Sequence, residues 1–177
     1  MRTRIALSGF ALLATASHGP TFAREEASLH SAYAHAQRLG AVRGVTVGPI
    51  ENALHADKGY GSDACEQTML QVASMGGTWV SLTPFGKIWD LSPSGVTAGF
   101  ETAAAQNRDA VRRAIVQAHS LNLKVMLVPH LWVESGGWRG ELDFATDDEW
   151  ARFSNSYRRF VLYWARLAEE TSVELFS

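Results

Sequence analysis

The sequence predicts an α/β fold: the front half of a (β/α)8 TIM barrel, about four parallel strands with intervening helices, preceded by a signal peptide. Three observations carry this expectation. Short β-rich runs alternate with stretches of helical periodicity, and that order calls for right-handed parallel βαβ units. The apolar run from Lys124 to Val128, stopped by Pro129, reads as a strand buried on both faces. Directly past it come His130, Trp132, Trp138 and Arg139, a polar and aromatic cluster at the strand end where parallel α/β folds hold their ligands. A Rossmann-type sheet is the competing architecture, but no G-x-G-x-x-G turn follows the first strand.

The elements follow in order. Arg2 and Arg4 precede an apolar stretch from Ile5 to Ala16, with small residues at Ala14-Thr15-Ala16 and Thr21-Phe22-Ala23, which is the layout of a secretory signal peptide over residues 1–23. That stretch is shorter than the ~20 apolar residues of a membrane-spanning helix. The expected location is therefore secreted or periplasmic, with no membrane attachment after signal removal and no Cys at the cleavage points to carry a lipid. Residues 24–42 form a leading helix, with Leu29, Ala32, Tyr33, Ala36 and Leu39 at helical spacing and Gly40 as its stop. The barrel-like domain then spans residues 43–177.

Val45-Thr46-Val47 makes the first strand. Asp63 and Glu66 mark a capped helix start ahead of Met69, Val72 and Ala73, and Gly76-Gly77 ends that helix. Thr78 to Thr83 is the second strand, stopped by Pro84. Val111, Ala114, Ile115 and Ala118 define the next helix, Asn122 takes its left-handed stop, and the third strand follows. Thr146 with Glu149 forms a capping box, after which Trp150, Phe153, Tyr157, Phe160, Val161, Trp164 and Leu167 share one helix face. Val173 to Phe176 begins a fourth strand.

The connections from Pro84 to Gln106 and from His130 to Ala145 exceed the roughly 12–15 residues of an ordinary irregular loop, so both are expected to be functional loops on the carboxyl face. The inner barrel face is expected to draw on pairs such as Val80 and Leu82, or Val125 and Leu127. Four strands do not close a barrel of about 250 residues. Open strand edges at Val45 and Leu175 therefore imply self-association.

Composition removes several function classes. The chain has 177 residues and a formal net charge of -2, with its basic residues scattered among acids; Arg112-Arg113 and Arg158-Arg159 read as solvated helix faces, and no nucleic-acid surface is expected. The single Cys65 falls in a helical apolar stripe and reads as core. The six His form no ligand-spaced set, and the first strand ends Val47-Gly48-Pro49 without a His-x-His pair. No metal or other cofactor is called for, which argues against a metal-dependent barrel hydrolase or a polysaccharide deacetylase.

At Arg43 to Pro49, at Val125 to His130 and at Trp138 to Leu142 the chain resembles the front half of clan A glycoside hydrolases, nearest to the family 113 endo-β-mannanases, and Ala168 to Phe176 resembles that family's entry into its fourth strand. The resemblance implies a (β/α)8 barrel that cleaves a β-glycosidic bond with retention by two glutamates, which must stand about 5–5.5 Å apart. It places the acid/base at the carboxyl end of the fourth strand and the nucleophile on the seventh, both beyond Ser177. No catalytic residue is therefore expected in this sequence, and the chain alone is expected to be inactive. Glu174 is rejected because it opens its strand, whereas barrel catalytic residues stand at strand carboxyl ends. Glu134 and Glu141 lie on the correct side, but neither has a partner carboxylate at fixed distance.

What the residues present offer is sugar binding. Trp89, Trp132 and Trp138 supply flat apolar faces with a polar N–H edge, suited to the axial hydrogens of a pyranose. His130 and Arg139 can hydrogen-bond to its hydroxyls. The expected partner is an oligo- or polysaccharide substrate, and the family resemblance implies the mannan type. The alternatives are that Trp89 and Trp132 pack loop against barrel, that His130 is a satisfied rim residue, and that the protein is a non-catalytic carbohydrate-binding or interaction module with a half-barrel fold.

Overall fold

A computed structural model describes residues 42–48, 57–92, 94–100 and 102–177. The expected signal peptide and all of the leading helix but its last residue lie outside the described residues. The elements run β1 (Gly44–Val47), α1 (Asp63–Ser74), β2 (Trp79–Leu82), β3 (Phe85–Ile88), α2 (Ala104–Ser120), β4 (Lys124–Leu127), β5 (His130–Val133), a 3-10 turn (Arg139–Glu141), α3 (Asp147–Glu170) and β6 (Leu175–Phe176).

Four strands form one parallel sheet in the order β1-β2-β4-β6, as the βαβ order requires. The helix ends follow local chemistry. Ser62, not Asp63, caps α1: its side chain accepts the Cys65 N–H at 3.2 Å, and Asp63 is the first helical residue, where a carboxylate still favours the positive helix end. Gly76 (φ 81°) and Asn122 (φ 58°) take the left-handed stops after α1 and α2. At α3 both bonds of the Thr146–Glu149 capping box are present.

The two long connections are not irregular loops throughout. After Thr83-Pro84 the second strand resumes as β3, after Val128-Pro129 the third resumes as β5, and the two resumptions pair in parallel as a second, two-stranded sheet. Each proline lacks an N–H, which interrupts its strand, but the ladder bridges the gap: Val128 N–H donates to the Leu82 carbonyl and His130 N–H to the Pro84 carbonyl, each at 2.9 Å. Tyr60 joins β1 to this region. Its buried hydroxyl donates to the Val47 carbonyl at 2.7 Å and accepts the Thr83 N–H at 2.8 Å, tying together the carboxyl ends of β1 and β2.

The side-chain faces differ from the expectation. Val80, Leu82, Val125 and Leu127 do not line an inner barrel face: all four are fully buried with Met69, Val111, Ile115, Trp164 and Leu167 beneath the helices. Strand alternation then puts Thr46, Ser81, Met126 and Leu175 on the opposite face. The helix side of β2 and β4 is thus a buried apolar layer, each large side chain contributing about 1.5–3 kcal/mol by its removal from water, whereas Val45 on the same side of β1 stays 46% exposed. In α3 the expected stripe is graded: Phe160, Trp164 and Leu167 are buried, while Trp150 and Tyr157 are exposed near the amino-terminal half of the helix.

Phe160 also anchors the second sheet. A Cβ at Gly86 would stand 2.5 Å from the Phe160 ring, so β3 can lie on α3 only because residue 86 has no side chain. Beside this contact Ile88 and Val133 pack with Phe144 and Phe153 as a second small core.

Charge links the helices. Glu170 pairs with Arg108 at 2.7 Å and Arg112 at 2.6 Å, so Arg112 is a clamp between α2 and α3 and not merely part of a solvated face. Hydrogen bonding from Arg112, and then the nearby Arg108 charge, hold the Glu170 carboxyl below its ordinary range. Arg108 also donates to the Tyr163 carbonyl and lies over the Tyr163 ring.

The assignment of faces predicts unequal substitutions on adjacent residues. Leu127→Ala should cost about 2–5 kcal/mol in denaturant unfolding, because it opens a cavity under the helices. Met126→Ala, on the half-exposed face, should cost less than about 1.5 kcal/mol by the same assay. Equal costs at the two positions would contradict the alternation.

Candidate functional site

An even number of residues separates β2 from β3 and β4 from β5, so alternation keeps its phase through both proline breaks. Gly86, Ile88, Leu131 and Val133 remain on the side of the helices and the second core. Phe85, Lys87, His130 and Trp132 consequently continue the face of Ser81 and Met126 past the carboxyl ends of the main strands. This is the end of the sheet that the sequence assigns to a ligand, on the face opposite to the one expected to be inner.

Four rings gather there. Phe85 meets His130 edge-on at 5.7 Å between centroids, and Trp132 at 6.0 Å. Phe100 closes the group, 5.5 Å from Phe85 and 5.9 Å from Trp132. Its approach is set by an antiparallel bridge in which the Thr97 and Lys87 main chains exchange two bonds of 2.9 Å. Phe85 and Phe100 were not among the residues singled out from sequence. A signal for Phe85 existed: Leu82-Thr83-Pro84-Phe85 and Leu127-Val128-Pro129-His130 share the pattern Leu-x-Pro-ring, and both the leucines and the rings are register partners. For Phe100 the sequence holds no such signal.

The other expected residues lie on the adjoining turn. Arg139 Nη1 donates to the Leu131 carbonyl at 3.5 Å, which brings the guanidinium back over β5 near His130. Burial first, and the Arg139 charge second, push the His130 imidazole below its ordinary value, so the ring is neutral at neutral pH and can both donate and accept a hydrogen bond. Trp138 (67% exposed) and Trp89 (64%) turn most of their surface to solvent among the described residues. Trp132 is 45% exposed while meeting Phe85 and Phe100 in the ring cluster. Just past β3 and β5 the two segments stay joined, the Ser135 N–H donating to the Trp89 carbonyl at 2.9 Å.

Of the acidic residues weighed from sequence, Glu174 sits at the opposite, amino-terminal end, where its Oε2 accepts the Val125 N–H at 2.8 Å and stands 3.3 Å from His119 Nε2. It is a joint between α2, β4 and the start of β6, as its place ahead of the strand indicated. Glu134 and Glu141 are exposed on the carboxyl side. Cys65 is buried at 4% exposure and burial raises its thiol pKa, so it is a core residue in a protonated state. A cavity of about 390 Å³ lined by Val45, Val47, Tyr60, Cys65 and Thr68 lies between β1 and the start of α1. Among the described residues no three His, Cys, Asp or Glu side chains converge as a metal site.

Parallel strands backed by helices, with an aromatic rim at the strand carboxyl ends, define a partial (β/α)8 barrel of the glycoside hydrolase class. The chain belongs to glycoside hydrolase family 113, whose model matches residues 52–177. It is similar to the β-mannanase AaManA of that family from Alicyclobacillus acidocaldarius, solved in complex with ManMIm, with a TM-score of 0.65 and 26% identity over 77% of this chain and 44% of that one. A family 113 β-1,4-mannanase solved as a complex is similar at a TM-score of 0.61 and 25% identity, over 76% of this chain and 44% of the other. A further β-1,4-mannanase structure shares the fold at a TM-score of 0.59 and 23% identity. The chain therefore spans less than half the length of these solved structures. Comparison with curated proteins finds no match.

The pH behaviour of His130 follows from its surroundings. Its folded pKa is lowered, so its neutral form supports the fold above the ordinary histidine value of about 6.5, and that support is lost as pH falls through the lowered value. The His130 ring protons in an NMR titration should give a midpoint below that of a free histidine, and Arg139→Gln should move it part of the way back. A midpoint at or above the free value would contradict the burial and the Arg139 approach.

Proposed function

We propose that this chain supplies the sugar-gripping part of an exported, retaining β-mannan hydrolase. The observation that carries the reading is the continuous inner face on which Phe85, His130 and Trp132 stand at the carboxyl mouth of a family 113 sheet. Trp132, Trp138 and Trp89 stack on pyranose faces, and neutral His130 and Arg139 take sugar hydroxyls. The mannan preference is supported by the mannanases to which the chain is similar.

Hydrolysis with retention needs one carboxylic acid to protonate the leaving oxygen and one carboxylate to attack the anomeric carbon from about 5–5.5 Å away. None of Glu134, Glu141 and Glu174 takes either role in this reading. Glu174 is committed to the amino-terminal rim, and the two loop glutamates are exposed. The acid/base and nucleophile belong to the carboxyl ends of barrel strands four and seven, outside residues 42–177.

Two measurements test the parts of this proposal separately. In a fluorescence titration with β-1,4-mannohexaose, the 177-residue chain should bind and Trp132→Ala should weaken binding about tenfold, a loss of roughly one stacking contact. The same preparation should release no reducing sugar from β-mannan. Absence of binding would sink the sugar reading, whereas hydrolysis by this chain would overturn the placement of the glutamates. A chain that binds without hydrolysing, and whose encoded protein has no further barrel strands, would favour the non-catalytic module.

Export is the second part of the proposal, supported by Arg2 and Arg4 ahead of the uncharged Ile5 to Ala16 stretch. Amino-terminal sequencing of protein from the native host should find a start between Ala16 and Arg24. A cytosolic protein beginning at Met1 would refute it.

A further inference from the structure

We propose that Gly140 is a positioning residue for Trp138: its missing side chain lets the indole lie down on the turn and holds one ring face outward as a preformed sugar platform. This rests on the carbohydrate reading of the rim and names the feature that orients one of its rings.

Trp138 is 67% exposed, so no core surrounds its ring to select a rotamer. Yet the ring is not free of contacts. A Cβ built on Gly140 would stand 2.5 Å from Trp138 Cη2, 2.6 Å from Cζ2 and 2.7 Å from Cζ3, so the outer six-membered ring rests directly against the glycine backbone. No real Cβ comes within 3.0 Å of such atoms, and any side chain at 140 must lift the indole. The backbone that sets this contact is itself braced. Glu141 N–H donates to the Trp138 carbonyl at 2.9 Å and closes the 3-10 turn, while Arg139 reaches the Leu131 carbonyl and ties the turn to β5. Gly140 is not one of the glycines with a left-handed φ, so what a side chain there would disturb is the lie of the exposed indole and not the backbone.

The function follows from the cost of ordering. A ring that sweeps several rotamers loses that freedom when a sugar stacks on it, whereas a ring already laid on the turn does not. Flatness on one side and solvent on the other is the arrangement that a pyranose face requires.

The test uses the 177-residue chain with β-1,4-mannohexaose as the probe, in wild type, Trp138→Ala, Trp138→Phe, Gly140→Ala and the Gly140→Ala/Trp138→Phe pair. Gly140→Ala should weaken binding about tenfold with an unchanged melting temperature, a loss near that of Trp138→Ala. The effect should vanish in the Trp138→Phe background, because phenylalanine lacks the outer ring atoms that meet the added methyl. In 5-fluorotryptophan-labelled protein, the 19F resonance lost in Trp138→Ala should mark a held ring in wild type and shift toward a freely rotating indole in Gly140→Ala. This last readout needs no ligand and stands whether or not the variant is weakened in stability.

If Gly140→Ala binds as wild type while Trp138→Ala does not, the positioning role is overturned and the sugar platform survives. An equal loss from Gly140→Ala in both the Trp and Phe backgrounds would also overturn it. If neither Trp138→Ala nor Gly140→Ala alters binding, or wild type does not bind, the carbohydrate reading of Trp138 fails as well.

Discussion

Phase is the constraint on which the rest of the structure depends. The second and third strands each break at a proline, and each resumes after two residues, so the side chains beyond the break keep the sides they had before it. Had either break contained an odd number of residues, His130 and Trp132 would have turned toward α3, and Leu131 and Val133 toward the barrel mouth. The shared register spreads this across both strands. Because the breaks are level, the Leu82 and Pro84 carbonyls still accept from Val128 and His130, and one ribbon of parallel strand reaches from the sheet floor to the aromatic rim.

Helix packing is matched to that ribbon at two points. Trp164 and Leu167 of α3 cover the main sheet, whereas Phe160, one turn earlier, sits on Gly86 of the extension, so a single long helix spans both sheets. A rigid support of this kind holds rim side chains better than a loop does. The Arg108, Arg112 and Glu170 clamp joins α3 to α2 at the far end of the same helix. Being partly exposed, it fixes the lie of the helices more than it adds to stability.

The two ends of the sheet carry different chemistry. At the amino-terminal end polar groups are spent on closing backbone hydrogen bonds, as where Glu174 takes the Val125 N–H beside His119. At the carboxyl end the polar groups and ring faces point outward, and His130 is kept neutral by partial burial and by Arg139. This division is the one that parallel barrels show in general, with stability below and ligand above.

Much of this was legible in the sequence, and the remainder has identifiable causes. Parallel order, the helix stops at Gly76 and Asn122, the α3 capping box and the clustering of site residues after the third strand depend on local patterns, which a sequence carries by itself. The inward or outward assignment of Val80, Leu82, Val125 and Leu127 did not: a strand that reads as apolar on both sides contains no clue to which side the helices cover. The extension strands were hidden because two prolines look like stops until their carbonyls are seen to accept across the gap. Phe100 came to the site through main-chain bonds between Thr97 and Lys87, which leave no residue pattern behind them. Sequence alone determined which residues follow which strand; only the tertiary structure decided which of them share a face, because that choice is made by packing between segments far apart in the chain.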